Sequence, residues 1–193
     1  MINDKKLREI ELRVKHFLRD EIIKTKQHVE FTDFFLINSE KSLNSANALY
    51  DLSTDIEMQH KTGYINFDGF LWVVNACYYS MFFMTRALLE NEGIKIKSDL
   101  SVHSITFDTL IYFFYLNGKL QKNFIEDFIE AKEDASELLG KQKADQLIED
   151  YFWEKRKRAT FTYNTKEVVI KAKATTSIKR AKRFNQEIKK IIL

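Results

Sequence analysis

The stretch GFLWVVNACYYSMFFM, residues 69–84, decides the fold. It is apolar on nearly every side, bounded by Asp68 and Arg86 and interrupted by Asn75 and Ser80. A membrane span needs roughly 20 apolar residues, and this run falls short. A helix that is apolar all round without spanning a membrane must be surrounded by other helices, which makes it the central helix of a bundle in water. The pattern predicts a helix from about Phe70 to Asn91, stopping near Gly93.

Outward from it, the chain reads as further helices. Leu7, Ile10, Val14, Phe17, Leu18 and Ile22 recur at three-and-four spacing and predict an amphipathic helix over about 4–26. A second runs from about Val29 to Leu52, and the polar segment from Thr54 to Gly69 reads as the longest loop. Ser101 is placed to cap a helix reaching Gly118, and the next runs from about Leu120 to Leu139. A break at Gly140 separates it from a helix over about 144–157. Thr165 then reads as the N-cap of a last helix carrying Ile170, Ala174, Ile178, Ala181, Phe184, Ile188 and Ile191 on one face.

The totals agree. The 193 residues are 45% apolar and 31% charged, with no proline and five glycines, a composition that favours long helices over hairpins. No segment reads as a strand. The expected fold is all-α, an up-and-down bundle of five or six helices over 29–193 preceded by an N-terminal helical extension, 1–28. The single cysteine, Cys77, excludes a disulfide within the chain and reads as a small core residue. The N-terminal segment lacks the apolar core of a signal peptide, so a cytoplasmic location is expected, without membrane association.

Charge is unevenly spread. Residues 153–193 hold thirteen Lys/Arg against three Asp/Glu, whereas 126–150 hold three against nine. Such asymmetry suits a phosphate-bearing partner, or an acidic and a basic face meeting in a dimer. Lys171, Lys173, Lys179, Arg180, Lys182 and Arg183, with Lys157, are the candidate RNA-backbone footprint; the alternative is a solvated face.

Several segments, in order, resemble the HEPN superfamily of helical proteins: FFLINSEKSLNSANALYDLS (34–53), WVVNACYYSMFFMTRALLENEGIKI (72–96) followed by SDLSVHSIT (98–106), then KRKRATFTYN (155–164) and KATTSIKRAKRFNQEI (173–188). The resemblance covers about 30–192. It implies a helical bundle that commonly dimerises, and in many members a metal-independent ribonuclease of toxin-antitoxin or defence systems. The superfamily motif is Arg, four residues, then His; one branch adds a tyrosine two positions on and implies a nucleotidyltransferase partner. Counting from Arg156 puts Phe161 at the histidine position and Tyr163 at the tyrosine position; counting from Arg158 puts Tyr163 at the histidine position. Neither register holds a histidine.

That departure bears on chemistry. Metal-free RNA cleavage needs proton transfer near neutrality, for which histidine suits; phenylalanine cannot supply it and tyrosine, with a pKa of about 10, is a poor base. Losing acid-base help costs about 10²- to 10⁴-fold, so nuclease activity would be weak or use another group. His103 is the substitute imidazole, with capping or packing as its alternative role. Arg156 and Arg158 offer guanidinium forks for phosphate, or pair with acids of the preceding segment. Tyr163 offers a binding hydroxyl or an adenylylation acceptor. His16, His28 and His60 read as surface residues without metal-ligand spacing, and no cofactor is expected. Two readings follow: a HEPN-like homodimer that binds or cleaves RNA, and a catalytically silent interaction module partnering a nucleotidyltransferase.

Overall fold

The computed structural model describes residues 3–97, 101–152 and 160–192, with side chains over 3–97, 101–138 and 170–192. Helices α1 (Asp4–Arg19), α2 (Thr32–Thr54), α3 (Ile56–Thr62), α4 (Phe70–Asn91), α5 (Val102–Leu110), α6 (Lys122–Phe152) and α7 (Thr160–Ile192) form an all-α bundle. A π-helical turn, Ile111–Tyr115, extends α5, and strands β1 (Ile23–Lys24) and β2 (Lys95–Ile96) make one antiparallel pair with Ile23 opposite Ile96. Among the described residues, no helix is long and apolar enough to cross a membrane.

Helix α4 occupies the middle, packed against α2, α7, α6 and α5, and fifteen of its 22 residues are buried. Its bounds are those its apolar run predicts. Cys77 is fully buried among them, and burial raises its thiol pKa to about 12, so it is inert packing.

Small residues let α2, α4 and α7 approach closely. Ser39 and Ala46 of α2, Ser80 of α4 and Ala174 and Ala181 of α7 are wholly buried. Ser39 and Ser80 each donate a hydroxyl to the other's carbonyl at 2.8 Å. With both protons committed, each oxygen accepts from Asn185 Nδ2, at 3.2 and 2.8 Å. One amide thus ties three helices at their crossing.

The N-terminal segment belongs to this core. Ile10, Val14 and Ile23 are buried in the same cluster as the α4 side chains, so no packing boundary falls at residue 28. The helix expected to reach residue 26 ends at Arg19: Glu21 takes φ +57°, and Ile22 and Ile23 turn away to meet the chain leaving α4. Gly93 permits that meeting. It holds φ +67°, and a Cβ there would stand 2.8 Å from the Gln27 carbonyl oxygen.

Other expectations are corrected. The polar 54–69 segment contains α3, capped by Asp55, whose carboxylate accepts from the Met58 N–H, and closed by Gly63 at φ +79°. Ser101 is left-handed and makes no side-chain cap. The expected break at Gly140 is absent: α6 continues to Phe152, since a mid-helix glycine costs only about 1 kcal/mol. Thr165 lies inside α7, which has begun by Thr160.

The acidic and basic segments meet within the chain. Arg183 forks onto Asp127; Arg180 reaches Glu130, with Asp134 at 3.2 Å; Lys173 sits 2.8 Å from Asp134 and 2.7 Å from Glu137. This ladder joins α6 to α7 beside the contact of Phe128 with Phe184.

Candidate functional site

His103, in the first turn of α5, is half-buried against α4. Its ring lies 4.2 Å from that of Phe82 and edge-on to that of Tyr79 at 5.6 Å, and Nδ1 is 2.9 Å from the Tyr78 hydroxyl. Burial foremost, then the positive fields of Lys132 and Arg86, lower its pKa below the usual 6.5, so the imidazole is neutral at pH 7. The Tyr78 phenol is held protonated, its pKa raised to about 12 by burial. If Nδ1 carries the proton and donates to Tyr78, Nε2 presents a lone pair; in the other tautomer Nε2–H is a donor.

Arg86 stands on the same helix. Its guanidinium lies 5.0 Å from the Phe35 ring centroid, and burial lowers its pKa, as expected of a cation taken partly out of water. Among the described residues no carboxylate lies within ion-pair distance of it; its neighbour Glu90 instead accepts from the N–H groups of Glu30 and Phe31 and faces Lys95 at 3.5 Å. Trp72, Tyr79 and Arg86 recur every seven residues and therefore share one face of α4. Trp72 is 55% and Tyr79 44% exposed, and Phe83 adjoins Tyr79 at 6.2 Å. The central helix thus shows solvent an aromatic stripe, with the half-buried Arg86 guanidinium at its end and no ion pair to it among the described residues.

Of the residues singled out from sequence, His103 lies in this cluster. Arg156, Lys157 and Arg158 fall outside the described residues, and Tyr163 falls within α7 with its side chain outside them. The α7 footprint is divided: Lys173, Arg180 and Arg183 are spent on α6, whereas Lys171, Lys179 and Lys182 face solvent, Lys171 over the Phe70 ring at 5.9 Å. Arg86 was missed. Its signal was the one cation of a largely apolar helix, seven residues beyond Tyr79. Among the described residues, no group of three or more His, Cys, Asp or Glu is arranged to hold a metal ion.

Fold and site together define a helical bundle bearing an aromatic and cationic surface cluster. Comparison with protein-family models, curated proteins and solved structures finds no match to this chain.

Proposed function

We propose that this is a HEPN-like protein that binds single-stranded RNA, in a toxin-antitoxin or defence setting, with the outward stripe of α4 and His103 as the contact surface. The observation that carries the reading is Arg86, a half-buried guanidinium with no carboxylate in ion-pair distance among the described residues, at the end of a row of exposed rings. Single strands are held by such combinations: bases stack on aromatic faces at about 1–3 kcal/mol each, and guanidinium groups take the phosphates. Lys171, Lys179 and Lys182 of α7 are further exposed cations, away from the stripe. Trp72→Ala, Tyr79→Ala and Arg86→Ala should each weaken binding of a mixed RNA pool about tenfold or more in low-salt buffer with EDTA. Unchanged binding in all three would rule the reading out.

Cleavage is decided in the same assay. A neutral imidazole beside a cation supplies the groups that metal-free cleavage uses. RNA fragments that disappear with His103→Ala, or with Arg156→Ala and Arg158→Ala, would add ribonuclease activity; intact RNA would leave a binding protein.

The internal pairing of Lys173, Arg180 and Arg183 favours a second reading, a catalytically silent module that partners a nucleotidyltransferase, with Tyr163 as adenylylation acceptor. Exposed Phe31, Phe34 and Ile37 on and before α2 are surface for such a partner. Absence of RNA binding at low salt, with a stable complex formed by a purified nucleotidyltransferase, would select it. We further propose a cytoplasmic homodimer, which light scattering tests by its mass.

A further inference from the structure

We propose that the groove enclosed by α1, α5 and α6 is a binding site for a small organic monoanion with a flat apolar body. This inference goes beyond the RNA reading and stands without it. The groove has a volume of about 360 Å³, within the range of small-molecule sites. Side chains of α1, α5 and α6 form it, with Ile129, Lys132, Glu133 and Ser136 as the contribution of α6. Ile10, Phe107 and Ile129 make an apolar floor, and the polar groups stand around it.

The charges are arranged for an anion. Asp108 is buried and holds the Arg13 guanidinium side-on, Nε to Oδ2 at 2.8 Å and Nη2 to Oδ1 at 3.2 Å. That pair cancels its own charge and orients Arg13 with Nη1 uncommitted. Among the described residues Lys132 donates to Ser104 Oγ alone, at 3.4 Å, and lies over the Phe107 ring at 5.9 Å. Among the described residues no carboxylate is within ion-pair distance of it. The remaining charges lining the groove are Lys6 and Lys132 against Glu133, a surplus of one positive charge. A single negative group therefore completes the balance, and the floor takes its ring.

Carboxylate and phosphodiester both satisfy this chemistry, and the experiment separates them. Binding of 2-naphthoate and of 3′,5′-cyclic AMP to the full chain would be measured by calorimetry, with neutral 2-naphthamide as control. Saturable one-to-one binding of either anion is expected, weakened about tenfold by Lys132→Gln, as loss of one charge-assisted hydrogen bond implies, and abolished by Ile129→Trp, which fills the groove. Which anion binds identifies the head group. His103→Ala and Arg86→Ala should leave it unchanged, so failure of the RNA reading and failure of this one are distinguishable. No saturable binding of either anion, equal binding of the neutral amide, or indifference to both Lys132→Gln and Ile129→Trp in variants that melt like the parent would overturn the proposal.

Discussion

His103 carries a pH dependence whose sign follows from its surroundings. Its folded pKa lies below 6.5 because burial and two cations disfavour the imidazolium, while the unfolded chain titrates near the ordinary value. Between those values the unfolded state binds more protons, so stability contributed by the neutral ring is complete above about pH 6.5 and falls as pH drops toward the folded pKa. His103→Phe should flatten the acid side of the stability curve below pH 6.5, as urea titrations across that range would show. Ser39 poses a different test. Its wall is the α2–α4 crossing, so Ser39→Val should cost about 1–3 kcal/mol by overpacking. Asn185→Leu should cost about 1 kcal/mol or less, because both serine hydroxyls keep their carbonyl acceptors and the unpartnered Asn185 Oδ1 disappears. Denaturant midpoints compare the two directly. Sequence singled out His103 by its residue type. Arg86 stayed hidden because its significance lies in its surroundings: Glu90, four residues on, is turned to the chain entering α2, where it accepts from the N–H groups of Glu30 and Phe31.

At the scale of elements, patterns with strong periodicity were legible and patterns resting on punctuation were not. The apolar run fixed α4 to the residue, whereas Gly140 misled, since its penalty is small beside the cooperative gain of a continuing helix. The β1–β2 pair has two residues per strand, too short for alternation to register, and exists because Ile23 and Ile96 are buried together. The charged blocks were read correctly as asymmetric but open as to partner. Their meeting between α6 and α7 has two consequences. Arg180 is 8% exposed and faces three carboxylates, of which Asp127 keeps Arg183, Asp134 keeps Lys173 and Glu130 is exposed, so Arg180→Ala should cost about 1–3 kcal/mol through lost charge-assisted hydrogen bonds, measurable by thermal and urea unfolding. Of the six footprint cations on the described part of α7, those free of a carboxylate are Lys171, Lys179 and Lys182. If these three contact single-stranded RNA, they contribute about −2 to the slope of log K against log salt, at about −0.7 per phosphate. The triple Lys→Gln variant should lower the measured slope by that amount; six free cations would lower it by about twice as much.

The whole molecule folds as one core if α1 is part of it, and the buried cluster makes α1 part of it. Ile10 is 1% exposed, Val14 is wholly buried, and Arg13 supplies the cation facing the buried Asp108 of α5. Removing α1 would therefore uncover apolar surface and strand a carboxylate, costs that fall on α5 and its π-helical turn rather than on the N-terminus alone. A detachable extension behaves differently: its loss would leave the bundle's transition where it was. Ile10→Ala discriminates, because its cavity should cost about 2–5 kcal/mol. In a chain of this size each kcal/mol moves the melting temperature by about 2–4 °C, and the entire transition should shift while remaining single. Amide exchange should confirm the coupling: α4 amides that open only in global unfolding should lose protection by the same free energy as the mutation removes. Unaltered α4 protection alongside a frayed α1 would show that the N-terminal helix rests on the bundle without helping to hold it together.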